Sequence, residues 1–117
     1  MNIAPVKATV SQDTLDRIDI RIGTIYRVED IQQANKLVRL IVDFGDHKRT
    51  ILAGIKQERK DPCELEGKQA LFVINLSPKK MMGETSEGML FDIGYADGLT
   101  PVLAVPEQPV PAGTRAG

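Results

Sequence analysis

The order of β-strand patterns along the chain constrains its fold more than any other feature of the sequence. A short helical segment, "DPCELEG" at 61–67, lies between the third and fourth patterns, with Asp61 as its predicted N-cap and Gly67 as its stop. In the first pattern the apolar alternation changes phase after Gly23, which predicts a bulge or a sharp bend there. The five predicted strands are residues 18–28, 36–44, 49–55, 68–76 and 88–96.

This order is typical of the OB-fold, an all-β, five-stranded Greek-key barrel. An SH3-like barrel also has five strands but gives no reason for the helix, and a β-sandwich needs more strands. We therefore predict an OB-fold with a short N-terminal helix near 10–17 and a short sixth strand at 100–106. The length suits one domain, 1–117, with an extended N-terminal arm at 1–10 and a Pro-rich C-terminal arm at 106–117 that lacks regular structure.

Basic residues are concentrated in the middle of a chain whose net charge is only −1. Residues 36–80 contain ten Lys and Arg against six Asp and Glu, whereas the rest of the chain contains five against ten. This distribution permits one positive face, as a nucleic-acid-binding protein requires. On charge alone, a solvated surface of mixed sign explains it equally well.

The ionisable side chains form no catalytic or metal-binding pattern. His47, the only histidine, lies in a predicted turn, and Cys63, the only cysteine, has no histidine nearby in sequence to activate it. We therefore predict a protein that is not an enzyme and that holds no cofactor and no metal. No apolar run approaches the ~20 residues of a membrane helix and no signal peptide begins the chain, so a cytoplasmic location without a membrane partner is expected.

The stretch "NLSPKKMMGETSEGML" at 75–90 carries three of the four methionines beside two lysines. In an OB-fold, the loop between the first two strands and the loop between the last two flank the nucleic-acid-binding face. The first loop, 29–36, ends in Asn35 and Lys36, and the second, 77–88, contains Lys79 and Lys80, which can neutralise phosphates. Ser86 can exchange hydrogen bonds with RNA, while Met81 and Met82 offer adaptable apolar surface and Met89 is expected to fill the core.

The aromatic residues give a further indication about the ligand. Most of the five, Tyr26, Phe44, Phe72, Phe91 and Tyr95, are predicted to lie in the core. Proteins that bind single strands by stacking need several exposed rings. The sequence therefore favours a structured RNA that is held by phosphate and shape contacts, with few bases read.

Four segments make the chain resemble the tRNA-binding domain family, which includes CsaA-type proteins, free-standing tRNA-binding proteins and the C-terminal domain of methionyl-tRNA synthetases. These are "DIRIGTI" at 19–25, "NKLVRLIVDFG" at 35–45, "KRTILAGI" at 48–55 and the 75–90 stretch, within a similarity that covers about 14–113. Met82 departs from the pattern, since relatives often have arginine or another polar residue there. The resemblance implies an OB-fold, homodimers and tRNA binding by shape, with contacts at Asn35, Lys36, Lys79, Lys80, Met81, Ser86 and Met89.

Two hypotheses follow from this resemblance, and a third alternative is an OB domain that serves only in protein assembly. The leading one is a dimeric, non-catalytic tRNA-binding protein that acts in trans for an aminoacyl-tRNA synthetase. The alternative is an export chaperone of the CsaA type, whose exposed methionines would bind unfolded or precursor polypeptides. The clustered lysines favour RNA, whereas the small net charge does not discriminate between the two.

Overall fold

The computed structural model describes residues 3–117 and consists mainly of one antiparallel sheet that curls into a nearly closed barrel. Met1 and Asn2, which begin the predicted N-terminal arm, lie outside the described residues. The strands of the sheet are β1 (Ile20–Asp30), β2 (Val38–Asp43), β3 (Lys48–Ala53), β4 (Gln69–Val73), β7 (Met89–Leu90) and β10 (Arg115–Ala116). They lie in the order β3-β2-β1-β4-β7, and β10 pairs with the start of β1 on the same side as β2.

Four shorter strands form two separate hairpins. β5 (Lys79–Met81) pairs with β6 (Glu84–Ser86), and β8 (Asp92–Ile93) pairs with β9 (Val102–Leu103). The predicted fifth strand, 88–96, is therefore divided between β7 in the barrel and β8 outside it. Together these elements confirm the predicted all-β, OB-like fold.

The barrel interior follows from the period-2 pattern of its strands. In β2 the sequence places Val38, Leu40, Val42 and Phe44 on one face, and all four are at most 2% exposed. Phe72 of β4 packs edge-on against Phe44 with ring centroids 5.5 Å apart. Burying a side chain of this kind contributes about 1.5–3 kcal/mol, so these positions dominate the stability of the barrel.

The irregularity in β1 lies three residues after the position that the sequence predicts. Ile25 pairs with Val42 and Arg27 pairs with Ile41, which leaves Tyr26 as the extra residue of a bulge. Gly23 is needed for another reason, because a Cβ atom there would lie 2.4 Å from Cγ1 of Val42. The prediction of a bulge at Gly23 is therefore wrong, although the glycine does mark a close approach in the core.

The short helices form where the capping signals predict them. Helix α1 spans Gln12–Asp16, and the Ser11 side chain accepts a hydrogen bond from the Thr14 N–H at 3.2 Å. A 3₁₀ helix at Pro62–Leu65 begins after Asp61, whose carboxylate accepts from the Cys63 N–H at 3.1 Å. Within residues 3–117, no helix is long and apolar enough to cross a membrane.

The C-terminal residues pack onto their own chain. Arg115 and Ala116 pair with β1, and the Gly113 N–H donates to the Ile22 carbonyl at 2.8 Å. The absence of regular structure predicted for 106–117 is therefore wrong for the last strand. The physical reason is that β2 pairs with β1 only from Thr24 onward, so one edge of the start of β1 remains free for the tail.

Candidate nucleic-acid interface

The segment predicted as a loop at 77–88 contains the β5–β6 hairpin. Met81 pairs with Glu84, so Met82 and Gly83 form a two-residue turn, and both have positive φ (53° and 76°). Positive φ at both central positions is the geometry of a type I′ turn, which matches the twist of the flanking strands. The Met-Gly pair with short polar strands was a weaker signal than Asn-Gly or Asp-Gly, so sequence reasoning missed the hairpin.

Strand alternation separates the two hairpin lysines. Lys79 and Met81 lie on the same face of the hairpin as their partners Ser86 and Glu84, whereas Lys80 lies on the opposite face. Lys79 and Lys80 are both exposed. They therefore offer positive charge on two sides of the hairpin and do not converge on one point.

Two polar contacts attach the hairpin to the barrel. Ser86 is 3% exposed, and its hydroxyl accepts from the Leu52 N–H at 3.0 Å while it donates to the Gly88 carbonyl at 2.9 Å. Arg39 of β2 donates to Glu84 of β6 at 2.8 Å, and the carboxylates of Glu84 and Glu29 raise the pKa of Arg39. Ser86 thus uses its hydroxyl within the chain, where it positions the hairpin.

Met81 joins the hairpin to the loop between β1 and β2. It packs half-buried against a small apolar cluster on the outer side of the barrel sheet, which consists of Ile31, Ala34, Leu37 and Leu52. Lys56 also holds this loop in place, because its ammonium donates hydrogen bonds to the carbonyls of Ile31 (3.0 Å) and Ala34 (2.9 Å). The structure therefore brings the two predicted binding loops together, with Asn35 and Lys36 exposed between the cluster residues Ala34 and Leu37.

A groove of about 230 Å³ lies between the hairpin, Leu52 of β3 and the segments at 76–77 and 88–89. Met89 is 42% exposed beside it, so the expectation that Met89 fills the core is wrong. Four of the seven predicted contact residues border this groove, whereas Asn35, Lys36 and Lys80 do not. Its lining residues are Leu52, Leu76, Ser77, Lys79, Met81, Ser86, Gly88 and Met89.

The basic residues of the middle segment divide into two groups. Arg39, Lys56 and Arg59 pair with carboxylates, and Arg49 donates to the carbonyls of Ile74 and Glu87. Among residues 3–117, the other six basic side chains of the 36–80 segment form no ion pair. These are Lys36, Lys48, Lys60, Lys68, Lys79 and Lys80, all of them exposed.

The prediction that most of the five aromatic residues lie in the core is wrong, because only Phe44 and Phe72 are buried while Phe91 is half-buried and two tyrosines are exposed. Tyr26 at the bulge is 55% exposed, and the Lys48 ammonium and Arg27 guanidinium lie 4.9 and 5.6 Å from its ring centroid. Tyr95 is 69% exposed in a one-turn 3₁₀ helix, Tyr95–Asp97, between two glycines. The flanking Gly94 and Gly98 were the signal that this tyrosine is in a turn.

His47 and Cys63, the only histidine and the only cysteine, lie in surroundings that do not activate them for catalysis. His47 bonds Asp46 at 2.6 Å through Nδ1, and its Nε2 accepts from the Arg49 Nε at 2.9 Å. Cys63 is exposed, and desolvation raises the pKa of its thiol, which disfavours the reactive thiolate. In the described part of the chain, no three His, Cys, Asp or Glu side chains cluster as metal ligands.

Comparison with known proteins gives consistent results. The family described as "Putative tRNA binding domain" matches residues 20–115. The methionine–tRNA ligase of Archaeoglobus fulgidus is 40% identical over 109 residues, which are 93% of this chain but 16% of the ligase. This chain thus spans about a sixth of the length of the curated relatives it matches.

Two solved structures extend the comparison. A MetRS-related protein from Pyrococcus horikoshii has a TM-score of 0.86 and 38% identity, with 95% of this chain and 100% of that chain covered. The chaperone CsaA of Bacillus anthracis has a TM-score of 0.82 and 30% identity, with 94% of this chain and 100% of that chain covered.

Proposed function

Because this chain belongs to the tRNA-binding domain family, we propose that it is a non-catalytic, cytoplasmic protein that binds structured tRNA by its shape and phosphates. The observation that carries the proposal is the β5–β6 hairpin, which is fixed to the barrel by Ser86 and Glu84. It holds Lys79 beside a groove and Lys80 on the opposite face. A rigid ridge with charge on both sides suits two phosphate strands better than one base edge.

The predicted contacts have different tasks in this proposal. Lys36, Lys79 and Lys80 neutralise phosphates, and Asn35 donates hydrogen bonds from the adjoining loop. Met81 and Ser86 position the hairpin, while the exposed Met89 provides apolar surface at the groove. The test is a titration of folded tRNA, in which the wild-type protein should bind with an affinity that falls steeply as salt is added. Binding that is absent at low salt would refute the function.

We also propose that the chain acts as a homodimer. The N-terminal arm and α1 expose Ile3, Val6, Val10 and Leu15, which are between 50% and 99% accessible. Exposed apolar side chains concentrated in one segment favour an interface with a second copy. A second copy would cover it and double the number of lysines available to one tRNA, in keeping with an auxiliary role for an aminoacyl-tRNA synthetase.

A chaperone function is the second candidate, and one specific observation favours it. The hairpin groove is bordered by Leu76 and Met89, which are 48% and 42% exposed, and adaptable apolar side chains suit varied peptides. Similarity to the CsaA chaperone supports this candidate as well. A competition experiment with the Lys80→Ala variant separates the two functions. An unfolded polypeptide that binds in the groove should bind this variant as tightly as the wild type, because Lys80 does not line the groove. Folded tRNA should bind the variant more weakly than the wild type.

A further inference from the structure

A second, larger groove lies on the other side of the loop between β1 and β2. It has a volume of about 510 Å³, within the range of small-molecule sites. Its walls are the end of that loop, the segment that follows β3 and the turn that follows β8. The Lys56 N–H donates to the Lys36 carbonyl at 3.0 Å, so two of these walls are held together. The lining residues are Lys36, Leu37, Gly54, Gln57, Glu58, Asp92 and Tyr95.

Five polar side chains around this groove are available to a ligand. In the part of the chain that the structure describes, Lys36, Gln57, Glu58, Asp92 and Tyr95 make no side-chain hydrogen bond and no ion pair, and Oε2 of Glu58 is buried without a partner. Elsewhere on the barrel, arginines and carboxylates pair extensively. The groove thus combines a cation, two carboxylates, an amide and an aromatic ring, none of which has a partner among the described residues.

The ring of Tyr95 is presented by a well-defined turn. The Gly98 N–H donates to the Tyr95 carbonyl at 3.1 Å, and the Leu99 N–H donates to the Gly94 carbonyl at 2.9 Å. Both glycines have positive φ, 108° and 75°, which other residues rarely adopt. Unlike Tyr26, whose ring has two cations beside it, Tyr95 has no cation–π partner among the described residues.

We propose that this groove binds one unpaired nucleobase of the RNA, stacked on Tyr95, with Lys36 on the adjoining phosphate. The proposal rests on the RNA-binding function and deepens it, because it adds a base-reading site to the phosphate contacts of the hairpin. Sequence-specific RNA recognition uses unstacked bases that lie on aromatic rings and are hydrogen-bonded along their edges. An exposed tyrosine beside a free lysine provides both parts of that arrangement.

The groove also favours one base. A carboxylate only accepts hydrogen bonds, so Asp92 selects an edge that carries donors. Guanine presents two adjacent donors, N1–H and the N2 amino group, whereas adenine and cytosine present one amino group and uracil one imino group. The Gln57 amide can donate to the guanine O6 atom. Guanine is therefore the expected occupant.

The first test uses folded tRNA and variants of Tyr95, which is exposed and can be changed without loss of core packing. Base–aromatic stacking is worth roughly a five- to hundredfold gain in affinity per base. Tyr95→Leu should therefore weaken tRNA binding by that factor with an unchanged salt slope, while Tyr95→Phe should bind like the wild type. Equal affinities for wild type and Tyr95→Leu would overturn the proposal.

The second test uses hexauridylates with one central guanosine, adenosine or cytidine. The wild type should bind the guanosine oligomer at least about fivefold more tightly than the others, the effect of one hydrogen bond, and Asp92→Asn should abolish that preference. No preference in the wild type, or one that persists in Asp92→Asn, would overturn the assignment. If tRNA binding depends on Lys79 and Lys80 but not on Tyr95, the proposed function stands and only this inference fails.

Discussion

Replacing the two hairpin lysines separately tests how the hairpin binds RNA. Each phosphate that is neutralised contributes a log–log slope of about −0.7 to −0.9 to the salt dependence of the affinity. Over a fourfold rise in salt, one contact therefore costs about a threefold loss of affinity, and two contacts cost about a tenfold loss. Because Lys79 and Lys80 lie on opposite faces of the hairpin, we expect them to engage different phosphates and to act independently.

The expected result follows from this arithmetic. Between about 50 and 200 mM salt, the affinity advantage of the wild type over Lys79→Ala should shrink about threefold, and likewise for Lys80→Ala. The affinity advantage of the wild type over the double variant should shrink about tenfold over the same range of salt. The measurement is a fluorescence-anisotropy titration of labelled tRNA at four or more salt concentrations.

Lys68→Ala is the matched control for the two hairpin lysines. Lys68 is also exposed and unpaired in the described part of the chain, but it lies beside the C-terminal tail, away from the hairpin. Lys68→Ala should therefore leave the slope unchanged. If the double variant keeps the wild-type slope, or if Lys68→Ala flattens it equally, the hairpin is not the phosphate-binding ridge and the chaperone hypothesis becomes the stronger one.

Three further predictions concern single positions. Ser86→Ala leaves the buried Leu52 N–H without its partner and should lower the free energy of unfolding by about 1–3 kcal/mol in urea titrations, whereas Ser77→Ala, at an exposed position, should not. Leu15→Asp should convert a dimer into a monomer in light scattering at micromolar concentration, and a wild type that is already monomeric would contradict the proposed interface. His47→Ala and Cys63→Ser should leave tRNA affinity within about twofold of the wild type, since neither lines the hairpin groove; a large loss with an intact far-UV spectrum would contradict this.

The barrel could be predicted from the sequence where the pattern is local. Val38, Leu40, Val42 and Phe44 alternate strictly and are all buried, because a strand with one face in the core imposes a period of two. The position of the bulge in β1 could not be predicted, since it depends on register with β2. The strand at Arg115–Ala116 was also missed, because the free edge of β1 that it covers exists only in the folded barrel.

In the candidate site, too, local features could be predicted from the sequence, whereas contacts between distant segments could not. The two loops could be identified from their lysines, amides and methionines, and the fold class placed them on one side of the barrel. Their contact through Met81 was not predictable, because it links residues of β5 and of the β1–β2 loop that are far apart in sequence. Tyr95 falls within the predicted strand 88–96, but Gly94 ends that strand in a left-handed turn and leaves the tyrosine ring exposed.

Arginine and lysine are used differently in this chain, whose net charge is −1. In the described part of the chain, six of the seven ion pairs that involve arginine or lysine use arginine, whose planar group suits a fixed carboxylate partner. Lys56 is the one lysine in these pairs among residues 3–117. Acidic residues thus neutralise mainly the arginines, while the lysines stay free in water as flexible point charges, the form in which a cation can follow a phosphate backbone. The small net charge is compatible with RNA binding because the charges are unevenly distributed, with ten Lys and Arg against six Asp and Glu in residues 36–80.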